Sequence, residues 1–506
     1  MNLAVPGYLS GHVDDLVALQ AWVAHARWLA ATGQSADDPI PSEEGHAWLT
    51  GGELVARALE CGDLHYAEEL VLWYFRVRLI GATARLRALQ RTVTADVGGR
   101  ALTHGELAAL SRTATDRRLR GQVRSALADV GERLRDARRR WLDDYAEARA
   151  GLGFATHAAL VRALHPEVDR FVAHARNWLD ATRAGFLERS RGWREHDGLS
   201  APALGDARLV AARAIVPEGA AGPLESVRSA VRAWGLGELL ARIRVDDAVR
   251  PGKSGTAFCS PVAPPADVRV SIAPGRTLGH YVTVLHEMGH ALHFTAGTRH
   301  PADLWRTPPA LTEAFGFAVE PVVRRPDWQR HHLGVMVGAE AVERASFARE
   351  HVRRVVAASL CYEMTVHDGH LDPAAEYVRV YETEFGVTVD GRAAWDRLQT
   401  YLEGKPCYPL VYHQAFALAG VLQDDLVQLA GERWYLGADA GPALRTLFGR
   451  FGATADVWEW FDRSPCAVER GQVHGEGEFG PGRADQPGQH GRAAVQKAVD
   501  LGQRPG

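Results

Sequence analysis

The 506-residue sequence predicts a mainly α protein with one small β-sheet. Three textures predict it: helical spacing through the first half, a short stretch rich in Gly, Pro and β-branched residues in the middle, and helical spacing again up to Trp460. In the first half Val123, Leu127, Val130, Leu134, Ala137 and Trp141 recur three and four residues apart, with Arg133, Asp136 and Arg140 between them. Apolar residues at that period share one helix face, so the segment is read as a helix packed within its own chain. No alternating strand pattern stands out before Asp246, and residues 1–245 are read as a helical N-terminal lobe.

After Asp246 the stretch VRPGKSGTAFCSPVAPPADVRVSIAPG uses the vocabulary of strands and turns. Gly255 to Cys259 and Val268 to Ile272 are the two expected strands, the second leading into a helix. A strand there is placed to pair with an extended peptide backbone, which makes Gly255, Ala257 and Phe258 candidates for substrate contact. Helical spacing resumes after Glu320, as in ASFAREHVRRVVAASLCYEMTV, and residues 246–463 are read as a second lobe. Beyond Ser464, Gly, Gln, Arg and Pro dominate, large apolar residues are few, and residues 464–506 are expected to be a disordered tail.

Composition narrows the function classes. With 46% hydrophobic and 24% charged residues the chain can build a large core, as a soluble enzyme does. A formal charge of -4 leaves no overall footprint for nucleic acid, and the cations are arginines apart from Lys253, Lys405 and Lys497. No apolar run is long enough to cross a membrane, and the N-terminus does not read as a secretory signal, so a cytoplasmic location is expected. Cys61, Cys259, Cys361, Cys407 and Cys466 are scattered without metal-like spacing and are expected to be reduced thiols.

The chemistry concentrates in His286-Glu287-Met288-Gly289-His290. Histidines four apart on a helix lie one above the other and can reach one ion. The glutamate between them can take a proton from a water in the ion's open coordination position. This layout suits a zinc peptidase with one catalytic ion. A third ligand is expected from PPALTEAFGFAVEPVV, where a helix starting near Ala310 after Pro308-Pro309 carries Glu313 in its first turns. Glu320, seven residues on, is expected to orient a ligand histidine through its other ring nitrogen. His280 falls off the ligand face but close to it, and is a weaker candidate for substrate contact; His293 is read as a packed residue.

GTAFC followed by DVRVSI, then LHEMGHALH, then TEAFGFAVE resembles the thimet oligopeptidase and oligoendopeptidase F family of zinc peptidases over about 70 residues. HEMGH is also similar to peptidyl-dipeptidases of the angiotensin-converting type. The resemblance implies a two-lobed helical ellipsoid split by a deep substrate channel, zinc at its floor and the N-terminal helices as its roof. Such a roof implies short peptides as substrates. It also implies a Tyr-rich segment that stabilises an oxyanion, matched here by YLEGKPCYPLVYHQAFALAG with Tyr408 and Tyr412, and with His413 adjacent. Glu403 stands where that family usually has a histidine, which bears on substrate choice.

The expected reaction is hydrolysis of internal bonds in short peptides, with His286, His290 and Glu313 holding zinc and Glu287 as the base. The alternatives are a dedicated peptide-processing enzyme, a catalytically silent peptide-binding protein on the same scaffold, and an enzyme acting on a non-peptide amide. Oligomeric state is not legible in the sequence.

Overall fold

A computed structural model describes residues 6–9, 11–35, 48–114, 116–199, 203–298, 300–368, 372–394 and 406–450. Glu403, Lys405, Cys466 and the expected tail lie outside the described residues. The fold is mainly α. The helices of the first half are α1 (Val13–Ala31), α2 (Glu53–Glu60), α3 (Leu64–Arg78), α4 (Ile80–Thr92), α5 (His104–Thr113), α6 (Arg117–Gly151), α7 (His157–Leu164), α8 (Val168–His196), α9 (Asp206–Ala212), α10 (Pro223–Ala233) and α11 (Gly237–Leu240). They are followed by α12 (Leu278–Gly297), α13 (Pro309–Val319), α14 (Pro326–Trp328), α15 (Ala339–Asp368), α16 (Pro373–Phe385), α17 (Tyr408–Ala430) and α18 (Ala440–Arg450). None of the described helices is long and apolar enough to cross a membrane.

Local chemistry sets several helix starts. Thr103 and Glu106 form a reciprocal capping box at α5, while Asp116 and Thr156 accept backbone N–H bonds at α6 and α7. Proline stands in the first turn of α10, α13, α16 and α17, where its missing N–H costs no helix bond. The Val123–Trp141 stripe does lie on α6, with Val123, Val130, Leu134 and Trp141 buried.

Strands β1 (Thr94–Val97) and β2 (Arg100–Thr103) form an antiparallel hairpin, a departure from the all-helical reading of the first half. Gly98 and Gly99, with φ of 63° and 83°, make its two-residue turn, a conformation other residues resist. The second sheet joins β3 (Ile243–Asp246), β4 (Phe258–Ala263) and β5 (Asp267–Ser271) in the order β3-β5-β4, with β4 at the edge. The expected strand at Gly255–Cys259 is therefore shifted towards the C-terminus. Pairing starts where Phe258 meets Ser271 at the end of β5, which leaves Gly255 and Thr256 without a partner strand.

The main core runs from Ala158 to Phe448 and unites α7–α11 with the sheet and α12–α18. A second core, under α1–α4, takes in Trp141 and Tyr145 of α6, and a small third one sits between the hairpin, α5 and the start of α6. The expected lobe boundary at 245 thus does not coincide with a break between cores, because helices on both sides of it share one apolar interior.

Candidate metal centre

Two helices cross closely enough to bring distant side chains to one point. A Cβ on Gly289 of α12 would lie 3.0 Å from the Cα of Gly316 on α13, and a Cβ on Gly316 would lie 2.7 Å from the His286 ring. Hydrogen at both positions lets α13 press against the histidine face of α12. His286 Nε2 and His290 Nε2 then stand 3.1 Å apart, and Glu313 Oε2 lies 3.4 and 3.5 Å from them. Ligands about 2.05 Å from a zinc ion in tetrahedral geometry are about 3.3 Å from one another. The three atoms therefore have the size of one face of a zinc tetrahedron, and they form the metal-competent group of three found among the described residues.

The surroundings prepare those atoms. Glu320, the first residue of the 3-10 turn that follows α13, is buried and places Oε2 3.1 Å from His286 Nδ1. Its other oxygen meets Arg349 Nε of α15 at 2.8 Å. With Nδ1 bound to Glu320, the lone pair of Nε2 is turned to the shared point. Burial alone would push His286 down, but hydrogen bonds to Glu313 and Glu320 push it up to about 10. Burial would push Glu313 up, yet the two histidines hold it well below the usual carboxylate range. His286 and Glu313 thus stabilise each other in their charged forms, and a cation bound at the shared point would take the place of the proton on His286 Nε2.

The other sequence candidates fall at different depths. Glu287 is half-buried, and its charge, together with that of Glu313, bears on the Cys259 thiol of β4 and on Tyr408 and Tyr412 of α17. Tyr408 donates its hydroxyl to Glu313 Oε1 at 3.3 Å, and the Tyr412 ring lies 5.0 Å from that of Tyr408. Burial and the carboxylates hold both phenols in the protonated form. His413 is buried and faces the other way, its Nε2 2.9 Å from His174 Nδ1 of α8. His280 is occupied in a capping box with Thr277 at the start of α12. His293 is buried among Phe294, Phe315 and Phe448, and burial lowers it to about 3. Phe258 stacks edge-on against Trp28 of α1, while Gly255 is exposed and Ala257 half-buried in the segment leading into β4.

Residues that escaped the sequence reading complete the centre. Arg349 lies 4.2 Å over the Phe317 ring and 4.7 Å over Phe416, which stack on each other at 4.5 Å. Burial and, after it, the charges of Glu287 and Glu313 push up the Cys259 thiol of β4, on the strand face opposite to Phe258. For Arg349, 29 positions beyond Glu320, no local pattern exists.

No family model matches the chain, and no curated protein sequence does. Solved structures do. One described as an oligoendopeptidase F superposes with a TM-score of 0.62 at 14% identity, over 92% of this chain and 90% of its own. A second, an oligoendopeptidase F from Bacillus anthracis str. Ames, gives 0.54 at 15% identity over 92% and 85%. A PZ peptidase A with an inhibitor gives 0.55 at 14% identity over 92% and 84%. The chain has the fold of these structures.

Proposed function

We propose that this protein is a zinc-dependent oligopeptidase that hydrolyses internal bonds of short peptides. The observation that carries the reading is the triangle of His286 Nε2, His290 Nε2 and Glu313 Oε2, with edges of 3.1, 3.4 and 3.5 Å. The likeness to oligoendopeptidase F and PZ peptidase structures supports it. His286, His290 and Glu313 hold the ion, and Glu320, anchored by Arg349, fixes the His286 ring. A bound zinc supplies a Lewis acid that acidifies water and polarises the scissile carbonyl.

The protein's own groups do the remaining work. Glu287 takes the proton of the attacking water and returns it to the leaving amine. Tyr408 and Tyr412, protonated because of their burial, donate to the oxygen on which negative charge develops. The edge of β4 pairs with the extended substrate backbone. A roof of N-terminal helices, implied by the sequence resemblance, limits substrates to short peptides in a cytoplasmic setting.

The test is mass spectrometry of a mixture of peptides of roughly 5 to 15 residues incubated with the purified protein, with a zinc chelator and Glu287→Gln as controls. Cleavage by the wild type, abolished by the chelator and reduced about 10³-fold or more in Glu287→Gln, is expected. Near-normal cleavage by the variant, which should retain its zinc, overturns the assignment of the base.

A further inference from the structure

Of Arg349, Arg353 and Arg354 on α15, two have their charge answered. Arg349 pairs with Glu320 at 2.8 Å. Arg354 pairs with Glu384 at 2.5 Å and also donates to the carbonyl oxygens of Leu179 and Glu384. Arg353 differs: among the described residues it makes no hydrogen bond or ion pair, and its Nε is shut off from solvent without an acceptor. Its guanidinium lies 4.7 Å over Trp178 of α8 and 5.9 Å from the Phe416 ring. The nearest acid on its own helix, Glu350, is taken by Arg189 at 2.5 Å. Burial and the neighbouring Arg349 pull Arg353 down to about 10, so the place disfavours the cation that occupies it. His413 is kept neutral by burial and offers no counter-charge. A half-buried cation without a partner is costly unless something else supplies the anion.

Its position says what that anion belongs to. Tyr408, Tyr412 and Phe416 form a half-buried stripe along α17, while Val411, His413, Gln414 and Ala415 beside them are buried. The stripe starts at Glu313, which Tyr408 touches, and ends at Phe416, against Arg349 and Arg353. Eight helical residues rise about 12 Å, and an extended peptide covers that in about three to four residues. We propose that Arg353, walled by Trp178 and Phe416, is an anion subsite of the peptide cleft that takes a substrate carboxylate about three to four residues from the scissile bond. This deepens, and rests on, the peptidase reading above, and it names the preferred substrates as peptides with an acidic group at that distance. The carboxylate comes either from an Asp or Glu side chain or from a free C-terminus.

The experiment uses the zinc-loaded wild type, Arg353→Met and Arg353→Lys with paired fluorogenic peptides. One pair carries a free or an amidated C-terminus, and a series moves one Asp or its Asn counterpart along the peptide. In the wild type the acidic member should be favoured about tenfold or more in kcat/KM at one position; the C-terminal pair or the Asp series shows which source supplies the carboxylate. Arg353→Met should bring that ratio close to one, and Arg353→Lys should retain part of it. Because the ratio is taken within each protein, a partial loss of folded material cancels. A wild-type ratio near one at every position, or the same ratio in Arg353→Met, overturns the subsite. Should no peptide be cleaved, the peptidase reading fails by itself. The anisotropy of labelled acid and amide peptides on the same proteins then decides the subsite: an acid preference lost in Arg353→Met supports it, and equal ratios overturn it.

Discussion

Two clusters in this molecule hold two histidines and a glutamate, and they are opposites. In the first, His286, His290 and Glu313 turn free donor atoms towards one point, and their side chains keep 12%, 9% and 12% exposure. In the second, His157 of α7 and Glu363 of α15 meet at 3.0 Å with 0% and 1% exposure, and the His367 ring lies 4.6 Å from that of His157. There both ring nitrogens of His157 are used, Nδ1 by the Tyr145 hydroxyl at 2.7 Å and Nε2 by Glu363. The electrostatics diverge in the same way: partners push His286 up to about 10, whereas burial pushes His157 down to about 3 and Glu363 up to about 7. Residue types alone do not make a metal site. Donor atoms that converge on one point with an opening to solvent do, while a sealed cluster whose central histidine has spent both nitrogens on its neighbours joins helices.

The contrast can be broken most directly through metal content. Glu313→Gln should lose most of its zinc on dialysis, and nearly all turnover with it, whereas Glu363→Gln should keep about one zinc per chain; elemental analysis of both variants decides. Zinc retained by the first, or lost by the second, would erase the distinction. A smaller effect sharpens the first region: Tyr408→Phe or Tyr412→Phe should keep zinc while kcat falls by about 10²-fold in whichever donates to the oxyanion. If neither variant changes kcat, the stripe on α17 serves binding alone.

The smallest effect belongs to the sealed cluster. Glu363 has its folded pKa raised to about 7 from an ordinary 4.5 by burial, so its contribution is whole below about pH 4.5 and is lost as pH rises through 7. His157 and His367, both lowered to about 3 by burial, stay neutral in the folded state, but their unfolded imidazoles are still half protonated at pH 6.5, and losing those protons adds about 0.8 kcal/mol of stability by pH 8 in both proteins. Between pH 6.5 and 8 the loss of about 0.8 kcal/mol through Glu363 offsets that gain, so the wild type should stay nearly level while Glu363→Gln gains about 0.8 kcal/mol. Urea denaturation across that window measures it, and parallel curves for the two proteins would refute the buried-acid assignment.

What depends on near neighbours along the chain was legible in the order of residues alone. The histidine pair four apart, the helix opened by Pro309 and the stripe on α6 follow from helical periodicity, which acts within a few residues. Which groups meet across long stretches of chain was settled by packing. Glu363 is 206 positions from His157, and no period links them. The contact of Gly289 with Gly316, which brings Glu313 onto the histidines, depends on how two helices cross. The start of β4 was set by the length of β5, since a strand exists only where a partner offers bonds. Arg349 and Arg353 look alike in sequence, and the fold alone gave one a carboxylate and left the other between the rings of Trp178 and Phe416.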